Sequence, residues 1–156
     1  MTSEKIKKVI GRAEIISFPE VAIEAVHARI DTGAKTSSLW ASRTEIIDDD
    51  LHVTLFEGEQ ARSLIFDEFE RVAVASSNGH IQHRFKVRLL VKLKGKKVRA
   101  WFTLADRSTQ VYPVLIGRNI LLGKFVVDVN KGSSLKREEQ EQSERLQSTI
   151  NELEEN

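Results

Sequence analysis

The sequence predicts an all-β protein, a small barrel or sandwich. Three observations predict it. Apolar residues recur at period two, as in Leu51-His52-Val53-Thr54-Leu55-Phe56 and in Phe85, Val87, Leu89, Val91 and Leu93. Turn signals punctuate these runs, among them Asp48-Asp49-Asp50, Asn78-Gly79 and Lys94-Gly95-Lys96. There is no strand–helix–strand rhythm, and one short helical pattern precedes the C-terminal tail.

Taken in order, residues 1–8 are polar and read as a flexible N-terminus. A domain over 9–132 follows, then an acidic tail over 133–156. Val9 to Ser17 alternates and is broken at Phe18-Pro19-Glu20; Val21 to Ile30 reads as a strand that stops at an acid. Thr36 to Ile47 and Leu51 to Phe56 read as the next two strands. Arg62 to Ser76 is ambiguous, because Asp67-Glu68 could belong to a strand or to a charged loop. Ile81 to Leu93 and Val98 to Leu104 form a hairpin around Lys94-Gly95-Lys96. Val111 to Ile116 is a strand, Gly117 opens the short helix, and Phe125 to Val129 is the last strand. In the tail, Leu146, Ile150 and Leu153 fall on one helical face, which suits either a solvated helix or a docking one.

The 156 residues make one domain's worth of chain, 40% hydrophobic and 30% charged. No run reaches the roughly 18 apolar residues of a membrane span. The first five residues have no apolar core, so no signal peptide is expected and a cytoplasmic location is. The absence of cysteine excludes disulfides and thiolate metal sites. The net charge of +1 divides unevenly: residues 133–156 carry 3 basic and 7 acidic groups, the rest 21 and 16. The chain's basic clusters read either as solvated edge strands and a hairpin tip, where lysine blocks edge pairing, or as a field that draws in acidic partners. No nucleic-acid recognition signature is present.

The stretch that carries chemistry is Asp31-Thr32-Gly33-Ala34-Lys35-Thr36-Ser37. An acid where a strand ends, followed by Thr and Gly, holds one carboxylate at a loop tip. Gly33 can take a positive φ and let backbone N–H groups approach that carboxylate. Alone, the pattern is an ordinary turn. Its weight comes from a second stretch, Pro113-Val114-Leu115-Ile116-Gly117-Arg118-Asn119, and a third, Ser76-Ser77-Asn78-Gly79-His80.

In this order and placement the three motifs resemble the retropepsin-like aspartic proteases. They resemble most closely a bacterial and archaeal branch described as ATP-dependent zinc proteases, over residues 9–132. The resemblance implies a small closed barrel with one short helix and a C-terminal helical tail. It implies catalysis by Asp31, with Thr32 and Gly33 completing the loop. Peptide hydrolysis of this kind needs two carboxylates sharing one proton, for which aspartic proteases are the standard example. One Asp-Thr-Gly per chain therefore implies a homodimer with Asp31 and its copy on the two-fold axis and Thr32 bonding across it. A flap is expected at Phe56 to Leu64, pivoting on Gly58.

Viral members commonly carry an acid where this chain has Lys35, able to pair with the arginine of Gly-Arg-Asn. Here Lys35 and Arg118 would repel, and two cations beside a cleft suit an acidic peptide or protein substrate. Relatives of the branch are associated with enzymes that add glutamate to protein C-termini. The resemblance thus implies trimming of glutamate tails, with a glutamate-ligase system as partner. Ala34, Lys35, Thr36, His80, Arg84 and Arg118 are the substrate-binding candidates.

No cofactor is expected. Zinc would have to rely on His80 and His83, whose spacing of three puts them on opposite faces of a strand. There is no His-Glu-x-x-His motif and no phosphate-binding Gly-rich loop. Two rivals to the aspartic peptidase are an inactive module of the same fold that binds acidic peptides, and a metal-dependent peptidase.

Overall fold

The computed structural model describes residues 6–75 and 78–155. Most of the expected loose N-terminus, residues 1–5, and the Ser76-Ser77 pair of the third motif lie outside the described residues. The chain forms eleven described strands: β1 (Lys8–Ile10), β2 (Ala13–Phe18), β3 (Ile23–Ile30), β4 (Ser37–Ile47), β5 (Asp50–Leu55), β6 (Arg62–Phe66), β7 (Phe69–Ala75), β8 (Ile81–Leu93), β9 (Lys96–Ala105), β10 (Val114–Ile116) and β11 (Phe125–Val127). Helix α1 spans Arg118–Leu121 and helix α2 spans Lys136–Glu155.

Six strands close a ring. In order around it, β3, β2, β8, β9, β4 and β10 are each paired to the next, and β10 returns to β3. The closing strand is short and pairs on both sides, parallel to β3 through Ala28, Arg29 and Ile30 and antiparallel to β4 through Leu39 and Ser38. Closure removes free edges inside the ring. Its interior is apolar: Phe18, Leu39, Val87, Val91, Phe102 and Ile116 are fully buried. Phe18 and Phe102 meet edge to face at 5.5 Å. Each such side chain contributes about 2 kcal/mol by leaving water.

Two hairpin turns follow from their residues. Asp48 and Asp49 (φ 49° and 69°), and Lys94 and Gly95 (φ 49° and 80°), sit in the left-handed region. Two-residue turns of that hand match strand twist, so β4–β5 and β8–β9 are tight hairpins. Elsewhere the structure refines the sequence expectations. The first alternating run is two strands, interrupted at Gly11-Arg12. The ambiguous segment is also two strands, with Asp67-Glu68 as the bend at which the chain leaves β6 and joins the other side of the ring as β7.

The flap expected at Phe56 to Leu64 is corrected. Phe56 is buried, its N–H donates to the Trp40 carbonyl at 3.2 Å, and the tip lies against Ala22–Val26. Gly58 does have a positive φ, but the turn around it is anchored. The projecting hairpin is β7–β8. Its register runs from Phe69↔Val87 to Ala75↔Ile81, whereas β8 meets β9 only from Lys86 onward. Residues 81–85 therefore have one strand neighbour, β7.

Helix α2 buries none of its residues. Its root is tied to the barrel by Arg12, which donates to both carboxylate oxygens of Glu139 at 2.7 and 3.0 Å. The Tyr112 hydroxyl donates to Glu139 at 3.0 Å and accepts the Leu135 N–H at 2.9 Å. Gln142 donates to the Thr109 carbonyl at 3.1 Å. Beyond that point Leu146, Ile150 and Leu153 are exposed. No helix of the described residues is long and apolar enough to cross a membrane.

Candidate functional site

Asp31 stands where β3 ends. Its N–H donates to the Ile116 carbonyl at 2.9 Å, which continues the β3–β10 ladder by one residue. Its carboxylate Oδ1 accepts the Gly33 N–H at 2.9 Å, and its carbonyl accepts the Ala34 N–H at 3.2 Å. The carboxylate direction is thus set by the loop's own backbone. Gly33 does not use a positive φ. Glycine serves there by close approach instead, since a Cβ would stand 3.3 Å from Asp31 Oδ1.

The second motif braces this loop from beneath. The Arg118 and Asn119 N–H groups, at the start of α1, donate to the carbonyls of Ala34 and Lys35 at 2.8 and 3.2 Å. The Arg118 Nη1 donates to the Thr32 and Gly33 carbonyls at 3.1 and 2.9 Å. Ser37, fully buried, accepts the Gly117 N–H at 2.9 Å and donates to Asn119 Oδ1 at 2.8 Å. Asn119 in turn donates to the Trp101 carbonyl at 3.0 Å. Gly117 has no room for a side chain: a Cβ would lie 2.6 Å from the Thr36 carbonyl oxygen.

Of the candidates, Asp31, Thr32, Gly33, Ala34, Lys35, Thr36 and Arg118 form one continuous unit. Thr32, Gly33, Lys35 and Thr36 are exposed, and Asp31 and Ala34 are half-buried. Arg118 spends one guanidinium nitrogen on the loop itself. His80 lies exposed at the tip of the projecting hairpin, away from that unit in sequence. Arg84, in β8, donates to Gln82 at 3.3 Å, and its charge acts on Arg107 together with that of Asp31.

Sequence reading missed Arg107. It follows β9, is half-buried, and donates its Nε–H to the Tyr112 carbonyl at 3.0 Å. Burial holds its guanidinium below the ordinary arginine value; Arg29 and Arg84 push the same way, and Asp31 opposes them. Arg107 still remains charged at any pH the fold survives. Beside it, Arg12 holds the Glu139 carboxyl below its ordinary range, chiefly by hydrogen bonding. No contiguous motif joins residues 12, 29, 84 and 107, so only the folded ring reveals the cluster.

The residues present do not fit a zinc centre. Among the described residues no three His, Cys, Asp or Glu side chains come together to hold an ion. His83 pairs with Ala73 on β8 and sits in an exposed position.

Residues 9–138 match the model of the RimB-like family, described as retropepsin-like aspartic endopeptidase RimB. Curated relatives include proteins named probable alpha-L-glutamate ligase. The one from Desulfotalea psychrophila is 29% identical over 82% of this chain and 29% of its own length. The one from Shewanella halifaxensis is 28% identical over 90% of this chain and 32% of its own. The chain thus spans about a third or less of the length of these relatives. A crystal structure of a Legionella pneumophila protein of unknown function superposes with a TM-score of 0.67 at 25% identity, covering 83% of this chain and 98% of that one.

Proposed function

Because the chain belongs to the RimB-like family of retropepsin-like aspartic endopeptidases, we propose that it is an aspartic peptidase whose dyad is Asp31 from two copies. Its proposed substrate is an acidic, glutamate-rich peptide tail. The observation that carries this reading is the Asp31 loop: a carboxylate held rigidly by backbone at an accessible tip, once per chain.

A two-fold axis through that tip brings the two carboxylates together. The pair then holds one proton, because two like charges a few Å apart cannot both ionise. The ionised member takes a proton from a water, which attacks the peptide carbonyl. The protonated member polarises that carbonyl and later gives its proton to the leaving amine. Such a pair gives a bell-shaped pH profile whose limbs belong to the dyad jointly. Thr32, exposed on the same loop, bonds to the partner's loop in this reading. The β7–β8 hairpin is the flap in this reading, and it carries Arg84. Lys35 remains exposed at the rim, while Arg118 braces the loop.

The glutamate specificity draws on the relatives named as glutamate ligases. That this chain matches only about three tenths of their length favours one second reading: a recognition module for the same tails, without cleavage. Peptides ending in several glutamates, incubated with wild type and Asp31→Asn and read by mass spectrometry across pH, separate the two. The peptidase predicts loss of glutamates by wild type only, unaffected by chelator and falling with dilution as the dimer dissociates. Binding without cleavage at any pH leaves the module. Cleavage abolished by chelator points to a metal enzyme instead.

A further inference from the structure

Beside Asp31 lies a cavity of about 330 Å³ whose wall includes Arg12, Arg29, Arg107, Tyr112 and Glu139. Ile30, the residue before Asp31, also lines it. The cavity is therefore one residue away from the proposed catalytic group. Its floor comes from β3, one side from the segment between β9 and β10, and its outer wall from the root of α2.

The charges in this cavity do not balance. Arg12 is taken by Glu139 through two hydrogen bonds. Arg29 and Arg107 have no carboxylate within ion-pair distance among the described residues. Arg84 adds a third positive charge near Arg107. The exposed Arg29 and the half-buried Arg107 line the same cavity and repel, and an anion that bridges them relieves the repulsion. The bound anion has a sample in the cavity already. Glu139 presents a carboxylate to Arg12 in the bidentate geometry that arginine favours, with the Tyr112 hydroxyl as a further donor.

We propose that Arg29 and Arg107 form a carboxylate-reading subsite that selects acidic residues of the bound peptide. This rests on the reading of Asp31 as the centre of a peptide-binding cleft, and it names the groups that give that cleft its specificity. Glu139 is the internal counterpart of a substrate glutamate. It occupies Arg12 through both carboxylate oxygens and fixes α2 as the wall; its charge also acts on Arg29, and Arg107 is left without a carboxylate partner among the described residues. The carboxylates could be glutamate side chains or the peptide's free C-terminus, both presenting the same fork to arginine.

Fluorescently labelled tetraglutamate, tetraglutamate amide and tetraglutamine test this by anisotropy with the Asp31→Asn protein, which binds without turnover. Tetraglutamate binding is expected to weaken about tenfold or more when Arg107→Gln is added, the scale of one lost charge-assisted contact. Tetraglutamine should bind more weakly and be indifferent to the substitution. Equal binding of acid and amide assigns the site to side chains; loss on amidation assigns it to the C-terminal carboxylate. Arg29→Gln, at an exposed strand position, serves as a second variant if Arg107→Gln does not fold. Tetraglutamate affinity unchanged in a folded Arg107→Gln or Arg29→Gln protein overturns the subsite. Wild type that cuts nothing while binding depends on Arg107 removes the peptidase and keeps the subsite. Wild type that cuts glutamate and glutamine peptides alike, with or without Arg107, does the reverse.

Discussion

The loop from Asp31 to Thr36 and the β7–β8 hairpin are built to opposite specifications. The loop is short, and its carbonyls at Asp31, Thr32, Gly33, Ala34 and Lys35 each accept a hydrogen bond, four of them from elsewhere than the loop's own turn only because α1 lies beneath. The hairpin is long, and over residues 81–85 each strand has only the other for a neighbour. A packing contact between Phe69 and Phe85 at 5.9 Å marks where it leaves the barrel. The contrast teaches how one sheet can supply both a braced acid loop and a projecting hairpin. Rigidity is concentrated where ring closure and a helix start coincide, and compliance begins where a strand outruns its partner.

The largest effect should come from filling the floor of the loop. Gly117→Ala forces a methyl against the backbone carbonyls of Thr36 and Ala34, and a cost of about 3 kcal/mol or more is expected in denaturant unfolding. An unchanged midpoint would mean the brace yields easily and the comparison is wrong. Ser37→Ala is next. It leaves the buried Gly117 N–H without its acceptor, an expected loss of about 1–3 kcal/mol, together with reduced activity against any cleaved peptide.

Glu139→Gln should cost on the order of 1 kcal/mol, seen as earlier proteolysis of α2 rather than as a lower barrel melting point. The same contact sets a pH dependence. Arg12 lowers the Glu139 pKa in the folded protein, so its stabilisation is complete above about pH 4.3, the ordinary glutamate value, and is lost as pH falls through the lowered one. Helix docking that weakens between pH 7 and pH 5 would contradict this. The smallest effect on stability belongs to the hairpin. Val74→Gly should shift unfolding by no more than about 0.5 kcal/mol while changing KM for peptide substrates. Amide exchange should run faster at residues 81–85 than in β3 or β9; equal protection would remove the distinction drawn between loop and hairpin.

What was legible in the sequence was whatever is written contiguously. The ring strands announce themselves by alternation, the two tight hairpins by Asp48-Asp49 and Lys94-Gly95, and the acid loop and its brace by two short motifs. Gly58 misled because a glycine shows that a chain can turn and not what the turn rests on; buried Phe56, two residues earlier, decides that. Gly33 was read for a positive φ and for letting an N–H approach the carboxylate; the structure has the approach without the positive φ. Arg12, Arg29 and Arg107 could not be grouped from the sequence, since each sits among ordinary surface charges and only the closed sheet brings them to one cavity.

The closing strand has a consequence for synthesis. Asp31 and its brace at Ile116 are separated by 85 residues, and the N–H to carbonyl contact between them is part of what defines the loop. On a ribosome adding about 5–20 residues per second, the acid emerges several seconds before its support is translated. Until β10 threads between β3 and β4, the loop has no floor beneath it. The order of the chain therefore sets the order of assembly: the acid loop is braced only after most of the barrel has been made.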